Sequence, residues 1–360
     1  MAKKITMQQI ADYLGVSKYV VSKALSGKEG VNEETRKKVL ETAGQLGYSA
    51  KKKGRVNEQG DQQSIQANSE PTEKKEKVVL VIMQNVHVQT RESSYWGKII
   101  DGISSTIEKY GFQMVLLTEI YIGNIGSVVN LNGFVGVITV GYVAPKILLD
   151  IEKNALPIIM IDYEDPLIPC DTVFNNNFDA SFHLTSYLHG LGHKKFQFVG
   201  DIQYSRSFFD RYNGVRSCLE SKGLFTPFST ELLSIKGANF NQQFNDWLSV
   251  QTEMTLPTAF VCANDQVAST VISLLQSAGY SVPLDFSVTG FDNTDLSYNQ
   301  SPTITTVNVA KFELGKRSVE FLKRRLNEQN ASYEKLLISG QLVLRDSTTS
   351  PQDTNNSSNN

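Results

Sequence analysis

From Val78 onward, short apolar runs alternate with helical stretches. "VVLVIM" leads to a helix reaching Tyr110 and stopping at Gly111, and "QMVLLT" and "VGVITV" (135–140) follow. After a helix ending near Asn154 come "PIIMI" (157–161) and "FQFVG" (196–200). A helix through Cys218, "AFVCA" (259–263), a helix to Ala278 and "SVTGF" (287–291) continue the series. Four-to-eight-residue apolar runs between helices predict parallel, doubly wound sheets. Some 270 residues of this pattern exceed one comfortable core, so two α/β lobes are expected. Ligands in such folds bind at the carboxyl ends of the strands, here in a cleft between the lobes.

The first fifty residues follow a different grammar. Thr6 and Gln9 have capping-box spacing, and Ile10 and Leu14 share a helix face. Gly15 suits a sharp turn, and Ser17 caps a second helix with Val21 and Leu25 inward. Asn32 caps a third, with Glu33 and Glu34 in its first turn and Val39, Ala43 and Leu46 inside, stopping at Gly47. Two short helices across a three-residue turn, with small Ala11 at their approach, fit a helix-turn-helix. The outer face of the second helix carries Lys18, Tyr19, Ser22 and Lys23 and no acid, as a major-groove helix requires. A small helical domain that binds protein is the alternative.

Charge separates the same two regions. Residues 1–55 hold 12 Lys/Arg against 5 Asp/Glu, a net of +7, while the remainder holds 23 against 32, a net of −9. A basic head on an acidic body points to a polyanion partner for the head alone. The opening "MAKKITMQQI" has no apolar core behind its lysines, so it is no signal peptide and the chain reads as cytoplasmic, with no membrane partner. Cys170, Cys218 and Cys262 match no metal or redox spacing and are expected to be buried free thiols. His189 and His193 in "LHGLGH" are four apart, but Gly190 and Gly192 are expected to end the helix between them. No nucleotide-loop, nucleophile-elbow or zinc-protease motif is present, and no cofactor is expected.

The strand ends are polar instead. "CANDQ" sets Asn264 and Asp265 beyond one strand, and "GFDN" sets Asp292 beyond another. "FFDRYNG" puts Arg211 near a helix start, and "SSYWG" puts Tyr95 and Trp96 at the first helix after the first strand. Carboxylates, an amide, a guanidinium and flat aromatics suit a polyhydroxylated ligand. Each residue also has a plain role, as helix caps or core.

The stretch "ITMQQIADYLGVSKYVVSKALSGKEGVNEETRKKVLETAGQLGY" resembles the headpiece of the LacI/GalR family of bacterial transcription regulators. "GHKKFQFVGD", "RYNG", "ANDQVA", "SVTGFDN" and "SPTITTV" recur in that family's effector domain in the same order. The resemblance implies a helix-turn-helix followed by two lobes like those of periplasmic sugar-binding proteins. It also implies a homodimer on a near-palindromic double-stranded DNA operator, and a small-molecule effector, a sugar or sugar phosphate, that changes operator affinity. No reaction is implied; some relatives answer instead to a nucleobase or a phosphoprotein. By this resemblance Lys18, Tyr19 and Lys23 read bases, and Thr6, Ser17, Ser22 and Thr35 lie against phosphates. Arg211, Asp292, Asn264 and Asp265 fall at effector positions, with Asp162, Tyr95 and Trp96 as further candidates. Implied domains are a headpiece (1–50), a basic and polar linker (51–77), a two-lobed effector and dimerisation domain (78–346) and a disordered tail (347–360).

Three departures stand out. Lys23 replaces the family's usual arginine, losing a planar fork. The segment between "VLLT" and "GFVGV" is short, so a helix there is expected to be trimmed. Where the family has a hinge helix with a minor-groove leucine, this chain has Ala50, Gly54 and Asn57 at the proline, alanine and leucine positions. Lys51, Lys52, Lys53 and Arg55 are expected to grip phosphates there as a mobile arm. A plain solute-binding protein and a sugar-modifying enzyme are the rival readings.

Overall fold

The computed structural model describes residues 6–14, 16–25, 32–45, 77–84, 94–118, 125–224 and 239–352. Contacts divide the chain into two units, Met1–Thr72 and Glu73–Asn360. Lys51, Lys52, Lys53 and Arg55, with Gly15, Leu46 and Gly47, lie outside the described residues.

In the first unit, helices α1 (Met7–Leu14), α2 (Lys18–Leu25) and α3 (Glu33–Gln45) enclose a small core. Ser17 caps α2: its Oγ accepts the Val20 N–H at 3.3 Å. Asn32 Oδ1 accepts the Thr35 N–H at 2.7 Å at the head of α3. Each cap satisfies a first-turn amide that no helical carbonyl can reach. Ile10, Ala11, Val21, Ala24, Val39 and Ala43 are buried together, and Leu25 is half-buried beside them. The expected capping box at Gln9 falls on a side chain outside the description.

The second unit begins β1 (Val78–Ile82), α4 (Ser94–Lys109), β2 (Gln113–Leu117), α5 (Ile125–Val128), β3 (Gly136–Val140), α6 (Pro145–Glu152), β4 (Ile158–Ile161) and β5 (Asp171–Asn175). It continues α7 (Asn177–Gly190), β6 (Phe196–Val199), α8 (Arg206–Ser221), α9 (Phe240–Ser249), β7 (Ala259–Cys262), α10 (Asp265–Ser277), β8 (Ser287–Thr289), α11 (Asp295–Asn299) and β9 (Thr306–Asn308). The last elements are α12 (Lys311–Asn327), β10 (Lys335–Ile338) and β11 (Gln341–Val343). Between β2 and β3 the described residues hold the four-residue α5 and a 3-10 turn at Leu131–Gly133.

Lobe 1 is a parallel sheet in the order β10-β5-β4-β3-β1-β2. With helices over a parallel sheet, its inner strands are buried on both sides and read as unbroken apolar runs. Helices α4 and α12 pack tightly enough that a Cβ on Gly315 would sit 2.0 Å from the Ile99 carbonyl oxygen. Asp171, fully buried on β5, accepts two Arg325 Nη2 bonds, at 2.8 and 3.0 Å, and one from Arg325 Nε at 2.9 Å, tying α12 to the sheet.

Lobe 2 holds the parallel strands β6-β7-β8, with β9 and β11 paired antiparallel beside them. Bridges Thr289–Thr305 and Asp292–Asn308 join the two groups. Helices α7 and α8 also touch: a Cβ on Gly214 would lie 2.2 Å from the Phe178 carbonyl oxygen. The chain passes between lobes after β5, after β9 and after β10.

The tail expected from residue 347 does not begin there. Ser347 is fully buried, its Oγ donating to the Val288 carbonyl at 2.6 Å and accepting the Thr305 N–H at 2.9 Å. Small hydroxyl residues thus complete the edge of lobe 2, where low hydrophobicity alone predicted disorder. Residues 353–360 lie outside the described residues.

Candidate functional site: the helix-turn-helix and the interlobe cleft

In the first unit, Ser22 is exposed and Lys23 half-buried on α2, with Ser17 exposed at its start. Lys18 and Tyr19 lie in the first turn of α2, their side chains outside the described part. Thr6 precedes α1 and is exposed; Thr35 is half-buried in the first turn of α3. The Ser17 hydroxyl accepts at its cap and keeps its own O–H to donate.

In the second unit, a cleft of about 1100 Å³ lies where the strands of both lobes end. Every expected effector residue lines it: Tyr95, Trp96, Asp162, Arg211, Asn264, Asp265 and Asp292. Two carboxylates mark its opposite walls. Asp162 follows β4 of lobe 1 and Asp292 follows β8 of lobe 2, with φ values of 57° and 97°. Left-handed backbone at a residue other than glycine is strained, and Asp and Asn tolerate it best.

Arg211 sits under the lobe 2 wall, 3% exposed. It donates from Nη2 to Asp292 Oδ1 at 2.9 Å, from Nη1 to the Ala263 carbonyl at 2.7 Å and from Nε to Asn177 Oδ1 at 2.9 Å. Its guanidinium lies 3.8 Å from the Phe291 ring centroid. The close α7–α8 approach at Gly214, one turn later, brings Asn177 within this reach. Lys311 Nζ donates to the Asp292 backbone carbonyl, and burial pulls its pKa down.

The other side chains differ in what they offer. Asn264 caps α10 through Oδ1, accepting the Val267 N–H at 2.9 Å. Asp265 is fully buried and both its oxygens are engaged, by Thr306 Oγ1 at 2.6 Å and by the Thr294 N–H at 2.6 Å and hydroxyl at 3.0 Å. Its carboxylate therefore builds the wall. Burial, reinforced by Asp292, pushes it up to about 6. Asp162 is also pushed up to about 6 by burial, against the Ser207 hydrogen bond and the Arg211 charge that pull it down. The Tyr95 hydroxyl accepts from Asn175 Nδ2 at 3.2 Å, and burial with the Asp162 and Asp292 charges raises its pKa.

Sequence reasoning missed several lining residues. Tyr142 and Tyr163 follow β3 and β4, Tyr204 and Phe208 flank the head of α8, and Ser207 donates across the cleft to Asp162. The strand-end rule that found Asp292 would have found Tyr142 and Tyr163. Arg206, also lining the cleft from lobe 2, pairs with Glu164 of lobe 1. The two histidines do not form a pair. Buried His193 bonds Thr258 Oγ1 at 2.8 Å and Ser287 Oγ at 3.0 Å, while His189 lies in the last turn of α7. The cysteines are free, Cys218 and Cys262 buried but Cys170 only half-buried.

Residues 6–51 match the family model "Bacterial regulatory proteins, lacI family", and 185–348 match the "Periplasmic binding protein-like domain". The chain belongs to the lacI family. A relative, the HTH-type transcriptional repressor PurR of Pasteurella multocida (strain Pm70), is 25% identical over 354 residues, 96% of this chain and 99% of its own. The lac repressor dimer bound to operator and an anti-inducer superposes with a TM-score of 0.61 at 21% identity, covering 96% of this chain and 100% of that one. A LacI family transcriptional regulator from Enterococcus faecium with bound ribose gives a TM-score of 0.62 at 22% identity, covering 77% and 100%. This lacI-family chain therefore has a DNA-binding helix-turn-helix and a periplasmic-binding-protein-like α/β body. Among its described residues no helix is long and apolar enough to cross a membrane.

Proposed function

We propose that the protein is a cytoplasmic, homodimeric repressor that binds operator DNA and releases or tightens it in response to a carbohydrate held between its lobes. The observation that carries this reading is the pair of strand-end aspartates, Asp162 and Asp292, set on opposite walls in left-handed backbone beside buried Arg211. Carboxylates fixed on both lobes accept hydrogen bonds from a polyol at two ends, so binding draws the walls together. Lys18, Tyr19 and Lys23 read bases in the major groove, and Thr6, Ser17, Ser22 and Thr35 contact phosphates. Lys51, Lys52, Lys53 and Arg55 add phosphate contacts beyond the headpiece. The relative named a repressor and the neighbours holding operator or ribose support this reading. Lobe rotation on ligand binding changes the joint fit of two headpieces to two half-sites.

The test is an operator gel shift titrated with sugars. Lys23→Ala is expected to weaken specific binding by about 1–3 kcal/mol and non-specific binding less. Equal losses on both DNAs would reduce Lys23 to a phosphate contact. No change in operator affinity with any ligand that binds the protein would remove the regulatory reading.

A further inference from the structure

The cleft is lined by four acids, Asp162, Asp265, Asp292 and Asp295, against two bases, Arg206 and Arg211. Both bases are already ion-paired. Arg211 is 2.9 Å from Asp292, and Arg206 is 2.8 Å from Asp210 and also paired with Glu164. A phosphate in this cleft would meet carboxylates on both walls, with no uncommitted cation among the described lining residues. Lys311 lies beneath the floor and directs its ammonium to backbone carbonyls of Asp292, Asn293 and Val309.

Aromatic rings line the same space in three pairs. Tyr95 and Trp96 have centroids 4.8 Å apart, Tyr142 and Tyr163 5.3 Å, and Tyr204 and Phe208 5.0 Å. The first two pairs belong to lobe 1 and the third to lobe 2. Tyr142 and Tyr204, 46% and 55% exposed, stand uncovered at the cleft. A single sugar ring covers one such platform. The cleft, at about 1100 Å³, reaches past the roughly 300–1,000 Å³ typical of sites for drug-sized molecules.

We infer that the effector is an uncharged oligosaccharide of at least two linked rings, with no phosphate or carboxylate group. Its hydroxyls are taken by Asp162 and Asp292, and its successive ring faces by the aromatic pairs. The inference rests on the reading of the cleft as the effector site.

Thermal shift and titration calorimetry on the full chain test it. The panel is α- and β-linked neutral di- and trisaccharides of glucose, galactose, fructose and xylose, their constituent monosaccharides, glucose 6-phosphate, sucrose 6-phosphate and hypoxanthine. One neutral oligosaccharide is expected to bind saturably, at least ten-fold tighter than its monosaccharides and than any phosphorylated sugar. Tyr142→Ala, at an exposed position that leaves the core intact, is expected to weaken that sugar about ten-fold and its monosaccharides by a smaller factor. Absence of any saturable neutral oligosaccharide overturns the inference, as does equal loss for both ligand sizes. A phosphorylated sugar or hypoxanthine whose binding falls in Asp162→Asn also overturns it, yet leaves the cleft reading standing. A ligand indifferent to both Asp162→Asn and Tyr142→Ala binds elsewhere and overturns the cleft reading itself.

Discussion

Where lobe 2 meets the cleft, its central charges are already spent: Arg211 on Asp292, Asn177 and a carbonyl, Asp265 on Thr294 and Thr306. Lobe 1 presents one carboxylate, Asp162, whose bond to Ser207 crosses to the other lobe, and two pairs of aromatic rings. One wall is a finished polar lattice and the other an adaptable cover. The cost of burying charge in lobe 2 is met during folding, so ligand binding need not reorganise it. The contacts Asp162–Ser207 and Glu164–Arg206 run from lobe 1 to lobe 2 across the cleft.

The largest test of this contrast is to remove one charge from each wall. Arg211→Ala leaves Asp292 buried without its partner, which costs about 3–5 kcal/mol. Asp162→Asn keeps an acceptor for the Ser207 hydroxyl and removes an acid that burial disfavours, so its cost is below about 1 kcal/mol. Urea unfolding of the full chain reads both values. Equal losses would mean that the two walls are built alike.

A smaller pair asks the same question away from the ligand. Ser347→Ala strips the buried Thr305 N–H and Val288 carbonyl of their shared partner and is expected to cost about 1–3 kcal/mol. Glu164→Gln breaks partly exposed ion pairs with Arg206 and Lys335 and is expected to stay within about 1 kcal/mol. A Glu164→Gln loss matching that of Ser347→Ala would make the interlobe contacts structural supports of the fold.

The contrast between the walls also explains what could be read in the sequence. Strands β1, β3, β4 and β7 announce themselves because burial on both faces forces unbroken apolar runs. Strand β5 reads "DTVFN": its opening Asp171 is an ion-pair anchor for Arg325, so polarity hides a fully buried strand. Strands β10 and β11 are short and partly exposed, so no unbroken apolar run marks them, and polar Ser347 is buried only because Thr305 and Val288, 42 and 59 residues away, become its partners. Among site residues, Asp292, Asn264 and Arg211 were legible because they follow strands or lie in a motif. That Asp265 would spend both oxygens inside the wall was not, since Thr294 and Thr306 become its neighbours only in the fold.

The finest distinction between the walls is their response to pH. Asp162 and Asp265 both titrate at about 6, above the ordinary 3.8 of an aspartate. Between those values the folded protein holds protons that the unfolded chain has released, so these groups lower stability as pH rises through that window. Ligand affinity runs the other way, because a sugar hydroxyl donates to an ionised carboxylate more strongly than to a neutral one. With a pKa of about 6, Asp162 goes from roughly one-tenth ionised at pH 5 to nine-tenths at pH 7, so affinity should rise up to about ten-fold across that range. The groups that set this titration are Ser207 and Arg211, which favour the ionised form, and Asp292 and Asp210, which oppose it. Calorimetry at pH 5, 6 and 7 with a neutral oligosaccharide that binds is expected to show the rise in the wild type and a flat profile in Asp162→Asn. A slope that persists in Asp162→Asn would transfer the titration to Asp265, and with it the pH response from the adaptable wall to the finished one.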